Sequence, residues 1–283
     1  MKDKFKVELF LDFENNLAES PIYDPKNKLV SWIDIVKGTL NTLDKRGKIS
    51  TINFNEKIGA AIPLKNNNSF LVCGTKALYT YEDGSIKELY DLTNVLDPSQ
   101  RCNDAKVDDF NRLWFSSIVD DGIHAPEGKL FCYTNKEVIC MDPDLKLGNG
   151  ICFNKKNNRM FLADSAAHCI FVYDYNLDTG YITNRRILCN IYDGVPDGML
   201  IDKDENLWVA IWGGARIEVR SSKTGLLKKT IDTPITNPTA LTFNEEEGMI
   251  IISSAKASDG TGGKLYSYKV DVKFPPFNYA KID

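Results

Sequence analysis

The stretch "GVPDGMLIDKDENLWVAIW" (194–212) sets one carboxylate, Asp197, between a proline and a glycine just ahead of an apolar run. Pro-Asp-Gly predicts a turn, because proline presets one backbone angle and glycine permits a positive one. The phrase returns in altered form as "AESPIYDPKNKLVSWIDI" (18–35), "RCNDAKVDDFNRLWFSS" (101–117) and "LGNGICFNKKNNRMFLAD" (147–164). The recurrent unit is an apolar strand, a polar turn carrying Asp, Asn or Glu, and a second apolar strand. Six copies occur: "PIYDPKNKLVSWIDI" (21–35), "AIPLKNNNSFLVCG" (61–74), "AKVDDFNRLWFSS" (105–117), "ICFNKKNNRMFLAD" (151–164), "MLIDKDENLWVAIW" (199–212) and "ALTFNEEEGMIIISS" (240–254). Most are followed by a third strand and turn, as in "HCIFVYDYNLDTG" (168–180) and "ARIEVRSSKTG" (215–225).

Alternating β-branched and aromatic residues bounded by Gly, Asn and Asp are strand and hairpin signals, and amphipathic helical periodicity is nearly absent. Three or four short strands recurring at about forty to fifty residues match the blade of a β-propeller. The expected architecture is all-β, a six-bladed β-propeller in one domain over residues 1–283, with a divalent metal in its central channel. The segment "FKVELFLD" (5–12) lies outside the first copy and can complete the last blade, which would remove exposed edges. Trp32, Trp114 and Trp208 hold the same place in their copies, so their expected role is packing between blades. "DTG" (178–180) and "KTG" (223–225), which mimic protease and β-lactamase motifs, occupy one hairpin turn in consecutive copies and read as structural.

Composition narrows the function. Thirty-five basic residues against 39 acidic ones give a net charge of −4, with no basic block or stripe, so nucleic acid and anionic membrane are poor partners. The charged amino terminus and the lack of any apolar run of membrane length predict a cytoplasmic protein without a membrane partner. No obligate protein partner is implied. Seven cysteines without C-x-x-C spacing argue against a disulfide framework and a cysteine zinc site, and two histidines exclude a three-histidine one. Of these, His168 precedes an apolar strand and reads as packing, whereas His124 lies in a loop that can border a pocket.

Aligning the copies on the polar residue that ends the first strand (Asp24, Lys65, Asp108, Asn154, Asp202, Asn244) and counting back five positions gives Glu19, Ala60, Asn103, Asn149, Asp197 and Thr239. Innermost propeller strands run along the channel, so these positions should face one another across it. Four of the six are carboxylates or carboxamides. Two carboxylates brought together raise each other's pKa, and burial adds a desolvation cost, a conflict that a divalent cation resolves. Glu19, Asp197 and the carboxamide oxygens of Asn149 or Asn103 form an all-oxygen set suited to Ca²⁺, Mg²⁺ or Mn²⁺, with Zn²⁺ possible through its carboxylate affinity.

These phrases resemble the SMP-30/gluconolactonase/luciferin-regenerating-enzyme family. "ESPIYD" (19–24) is similar to its Glu-Gly-Pro opening, "RCNDAKVD" (101–108) to Arg-x-Asn-Asp-Gly-Lys-x-Asp, and "GNGICF" (148–153) to Asn-Gly-hydrophobic. The resemblance implies one divalent cation held by Glu19, Asn149 and Asp197. It also implies Arg101 and Asn103 as substrate contacts, and a further acidic contact that ungapped counting places at Asp121, with Asp120 the alternative. Ser20 and Ala105 stand where the family has glycine. The implied activity is metal-dependent hydrolysis of a small-molecule sugar lactone to its acid, with Asp197 as general base as well as ligand. A calcium-binding regulatory protein without turnover, or an esterase or phosphotriesterase using the same site, are the alternatives.

Overall fold

The computed structural model describes residues 6–66, 68–120 and 127–281, and these form six four-stranded antiparallel sheets. The first strands of the sheets are Ala18–Asp24, Ile58–Pro63, Gln100–Val107, Gly148–Asn154, Val195–Ile201 and Pro238–Asn244. Each touches the first strands of both neighbouring sheets, which closes a ring of six blades around a channel. Five blades use four consecutive strands, while the sixth borrows Glu8–Leu11 from the start of the chain as its outermost strand. That strand pairs with Leu265–Lys269 (Glu8 opposite Ser267, Leu9 opposite Tyr266), so the outer edge of the last blade is covered from the other end of the chain. No helix among the described residues is long and apolar enough to cross a membrane.

Burial explains the sequence pattern of each strand. Second strands are packed on both faces by neighbouring blades, so they are largely apolar, as in "MIIISS" over Met249–Ser254, every residue of it buried. Outermost strands face water, and Ile182–Asn190 has no fully buried residue. Trp32, Trp114 and Trp208 fill the layers between blades as expected. The Trp114 and Trp208 indoles donate to Asp108 (3.1 Å) and Asp202 (2.9 Å), the acidic residues that end the first strand of their copies. Trp32 instead donates to Asn15 at 3.0 Å.

The aligned polar residue is a turn cap. Asp24, Asp108, Asn154, Asp202 and Asn244 each accept backbone N–H groups from the hairpin that follows, such as Lys26 and Asn27 on Asp24. That local bond is why the residue recurs. The DTG and KTG segments close equivalent turns, Gly180 donating to the Asn176 carbonyl and Gly225 to that of Ser221. His168 departs from expectation: it is exposed, in a turn with φ of 54°.

Pro196-Asp197-Gly198 is not a hairpin turn but lies inside the strand Val195–Ile201. Pairing jumps there from Pro196–Ile211 to Met199–Val209, so the inner strand carries one extra residue. The same irregularity recurs in every blade, between Glu19 and Ile22, Ile58 and Ala60, Cys102 and Ala105, Asn149 and Cys152, and Pro238 and Leu241. A β-bulge bends its strand and re-aims a side chain. The inner strand has a free edge along the channel, where proline forfeits no ladder bond.

Beyond the last blade the tail crosses one mouth of the channel, at the far end of the inner strands from the bulges. The Lys203 amide donates to the Lys273 carbonyl (2.8 Å), Phe274 packs on Trp208 and Phe243, and the Tyr279 hydroxyl donates to Asp24. Asn278 bonds Asp109 (3.1 Å), Ala280 the Pro63 carbonyl (3.0 Å) and Lys281 Asn111 (2.6 Å). The strap therefore bridges five of the six blades.

Candidate functional site

The bulges bring four of the six aligned positions into one hydrogen-bonded and electrostatic arrangement. Arg101 is 8% exposed, and its Nη1 donates to the Asn103 Oδ1 at 3.0 Å and to the Cys102 carbonyl at 2.9 Å. Asn103 Nδ2 donates in turn to Asn149 Oδ1 (2.6 Å) and to the Gly148 carbonyl (3.1 Å). Asn149 Nδ2 donates to Ser165 Oγ at 2.9 Å, and Ser165 donates to the carbonyl of Pro196, the neighbour of Asp197, at 2.6 Å. One line of bonds thus runs from the third blade through the fourth to the fifth. It points the Asn149 amide nitrogen away and leaves its carbonyl oxygen with a second lone pair.

Glu19 and Asp197 face each other electrostatically across this line. Burial, then the nearby Asp104 carboxylate, pushes the Glu19 carboxyl up to about 8, although the Ser20 amide (2.9 Å) and Arg101 oppose the shift. Burial, then Glu19 and Asp104, pushes Asp197 well above the ordinary carboxylate range. Asp104 is also raised by burial, and its oxygens are taken up by the amides of Ala105 (2.7 Å) and Ile151 (3.4 Å). It ties the third blade to the backbone just past Asn149. Among the described residues no group of three His, Cys, Asp or Glu side chains forms a metal site. The donors that fit a cation are therefore two carboxylates and a carboxamide, an all-oxygen set suited to a hard ion.

The remaining aligned positions are closed. Ala60 offers no donor, and Thr239 is fully buried with its hydroxyl spent on the Ala18 carbonyl (2.6 Å) and Ser253 (2.7 Å). Asp121 and His124 lie outside the described residues. Asp120, the alternative, receives Arg101 Nε at 3.0 Å and Lys57 Nζ at 2.7 and 2.8 Å. Burial works against it, but Lys57 and Arg101 hold its carboxyl below the usual range. Cys102 is buried, and that burial pushes its thiol far up, so it has no nucleophilic character.

Asp104, Ser165 and Lys57 escaped the sequence reading. Asp104 sits one residue past an aligned position, so a bulge spanning two side chains would have flagged it. Ser165 and Lys57 carry no signal in spacing or motif.

Gly150 marks how tightly the inner strands meet. Its φ is +54°, and a Cβ there would lie 2.4 Å from the Asp197 carbonyl oxygen. Gly150→Ala is expected to cost about 2–4 kcal/mol of stability through the left-handed backbone and the clash together, read as a fall in the denaturation midpoint. The equivalent residue of the first copy is Ser20, which adopts φ of 48° despite its side chain.

A family model described as SMP-30/Gluconolactonase/LRE-like region matches residues 17–256. The chain belongs to this family. The match spans all six copies and stops short of both Glu8–Leu11 and the terminal strap. Regucalcin of Danio rerio is 25% identical over 248 residues, 86% of this chain and 83% of that one. Pentonolactonase XacC of Haloferax volcanii is 23% identical over 261 residues, 90% and 87% of the respective chains. The solved structure of a luciferin-regenerating enzyme shares the fold with a TM-score of 0.92 at 23% identity, covering 98% of this chain and all of that one. The six-bladed propeller is thus the fold of a family that includes lactonases among its named members.

Proposed function

We propose that the chain is a divalent-metal-dependent lactonase that opens a sugar lactone to the free acid. The observation that carries this reading is the pair Glu19 and Asp197, both desolvated and mutually repulsive, beside an Asn149 carbonyl oxygen fixed by its neighbours' hydrogen bonds. Glu19, Asn149 and Asp197 would hold the ion. Such a cation, once bound, supplies Lewis acidity at the lactone carbonyl and lowers the pKa of water beside it.

The chain's own groups divide the remaining work. Asp197 accepts the proton of the attacking water as the new carbon–oxygen bond forms, and can return it to the ring oxygen when the ester bond breaks. Arg101 and Asn103 hold substrate oxygens and fix the carbonyl for attack. Asp120 serves as the acidic residue of the substrate wall by bracing the Arg101 guanidinium, with Lys57 balancing its charge.

The test is a pH-indicator assay of chelator-stripped protein against a panel of aldonolactones, with Ca²⁺, Mg²⁺, Mn²⁺ or Zn²⁺ returned singly. Acid release that requires one of these ions supports the proposal. Ion binding with no release from any lactone would leave a metal-binding protein in its place.

The raised carboxyls also give a pH dependence. In the metal-free protein Glu19 holds its proton more tightly than in the unfolded chain, so the stability this contributes is present at low pH. It is lost as pH rises from the unfolded value of 4.5 through about 8. With saturating cation the ionised pair is compensated. Added cation is therefore expected to raise the melting temperature far more at about pH 9 than at about pH 5, checked by thermal denaturation with and without chelator.

A further inference from the structure

Below the level of the bulges the channel opens into a cavity of about 380 Å³. Its roof includes Ser20, Asp104 and Gly198, each one residue past a candidate site position, and its walls include Ile62, Ile151, Met199 and Leu241. Phe274 and Phe277 of the terminal strap close it from below. The volume falls within the roughly 300–1,000 Å³ of small-molecule sites, and a largely apolar lining is typical of them.

One partly buried charge in this cavity has no hydrogen-bond or ion-pair partner among the described residues. It is Lys106, on the inner strand of the third blade, and its ammonium is felt electrostatically by both Asp104 and Cys152. Four of the five carboxylates that line the cavity accept other donors. Asp104 accepts two amides, Asp109 takes Asn278 and Lys155, Asp202 takes Asn206 and Trp208, and Glu205 takes Asn157 and Lys223. Glu245 is exposed at the mouth, as are Lys155, Lys156 and Lys203. A lone ammonium against apolar walls is matched by an anionic head on an apolar body.

We propose that the strap-closed cavity is a second ligand site, separate from the carboxylate ring, for a small monoanionic amphiphile of the alkanoate type, with its head group on Lys106 Nζ and its chain against Phe274 and Phe277. It does not depend on the lactonase reading.

Titration calorimetry of the full chain with octanoate, 1-octanol and octylamine tests it, run with divalent cation and again with excess chelator. Octanoate is expected to bind about tenfold or more tightly than octanol, octylamine more weakly than either, and octanoate binding to persist in chelator. Lys106→Met should reduce octanoate to the level of octanol, Lys106→Arg should preserve the preference, and Phe277→Ala should weaken both ligands. Octanoate binding no tighter than octanol in the unsubstituted protein overturns the proposal whatever the variants do. So does octanoate binding that disappears with chelator, which would place the carboxylate at the ring.

Discussion

Asp197→Asn is expected, on the proposed mechanism, to lower lactonase kcat by about 10³-fold while leaving the fold intact, because the amide keeps the shape but could neither take the water's proton nor supply the ligand charge. Calorimetric affinity for the activating cation should fall with it. The metal-free variant should melt no lower than the parent and is expected to melt higher. Asp197 is buried beside Glu19 and Asp104, so its ionisation opposes folding until a cation compensates it. Unchanged turnover together with unchanged cation affinity would remove Asp197 from the site and the lactonase mechanism with it.

Asp108→Ala carries the largest expected loss of stability, about 3–5 kcal/mol. Asp108 is 2% exposed and accepts five bonds, from the amides of Phe110 (2.9 Å) and Arg112 (3.0 Å), Arg112 Nε (2.6 Å), the Trp114 indole (3.1 Å) and the Tyr175 hydroxyl (2.6 Å). Arg112 is itself buried and also bonds Tyr175 (2.7 Å) and the Leu177 carbonyl (2.6 Å). Removing the carboxylate leaves a guanidinium desolvated without its counter-charge, and buried donors without an acceptor. The denaturant midpoint should fall at constant m-value. Cation affinity of the remaining folded protein should be unaltered, since Asp108 ends its inner strand away from the ring.

The six blades could be read from the chain because their signals are local. A cap such as Asp202 bonds amides four residues away, and strand alternation with turn glycines needs no distant partner. The same locality explains the misreading at the channel. Pro196-Asp197-Gly198 has turn chemistry, yet in a strand with a free channel edge that chemistry makes a bulge instead. Glu19, Asn103, Asn149 and Asp197 could be selected by counting, since equivalent places on equivalent strands must converge on the axis. Ser165 could not, because its role is a bond to Asn149 and another to Pro196, 31 residues on, in the next blade.

Local chemistry in the chain therefore dictates the number of blades, the register of their inner strands and which side chains reach the channel. Packing between blades settles what those side chains do once there. The Asn149 carbonyl is aimed by Asn103, 46 residues away, and Asp120, which braces Arg101, is itself held by Lys57 from the neighbouring blade. The Lys106 cavity exists because a strap from the end of the chain crosses the channel mouth. These relations depend on distances between segments far apart in sequence, and no repeat or spacing encodes them.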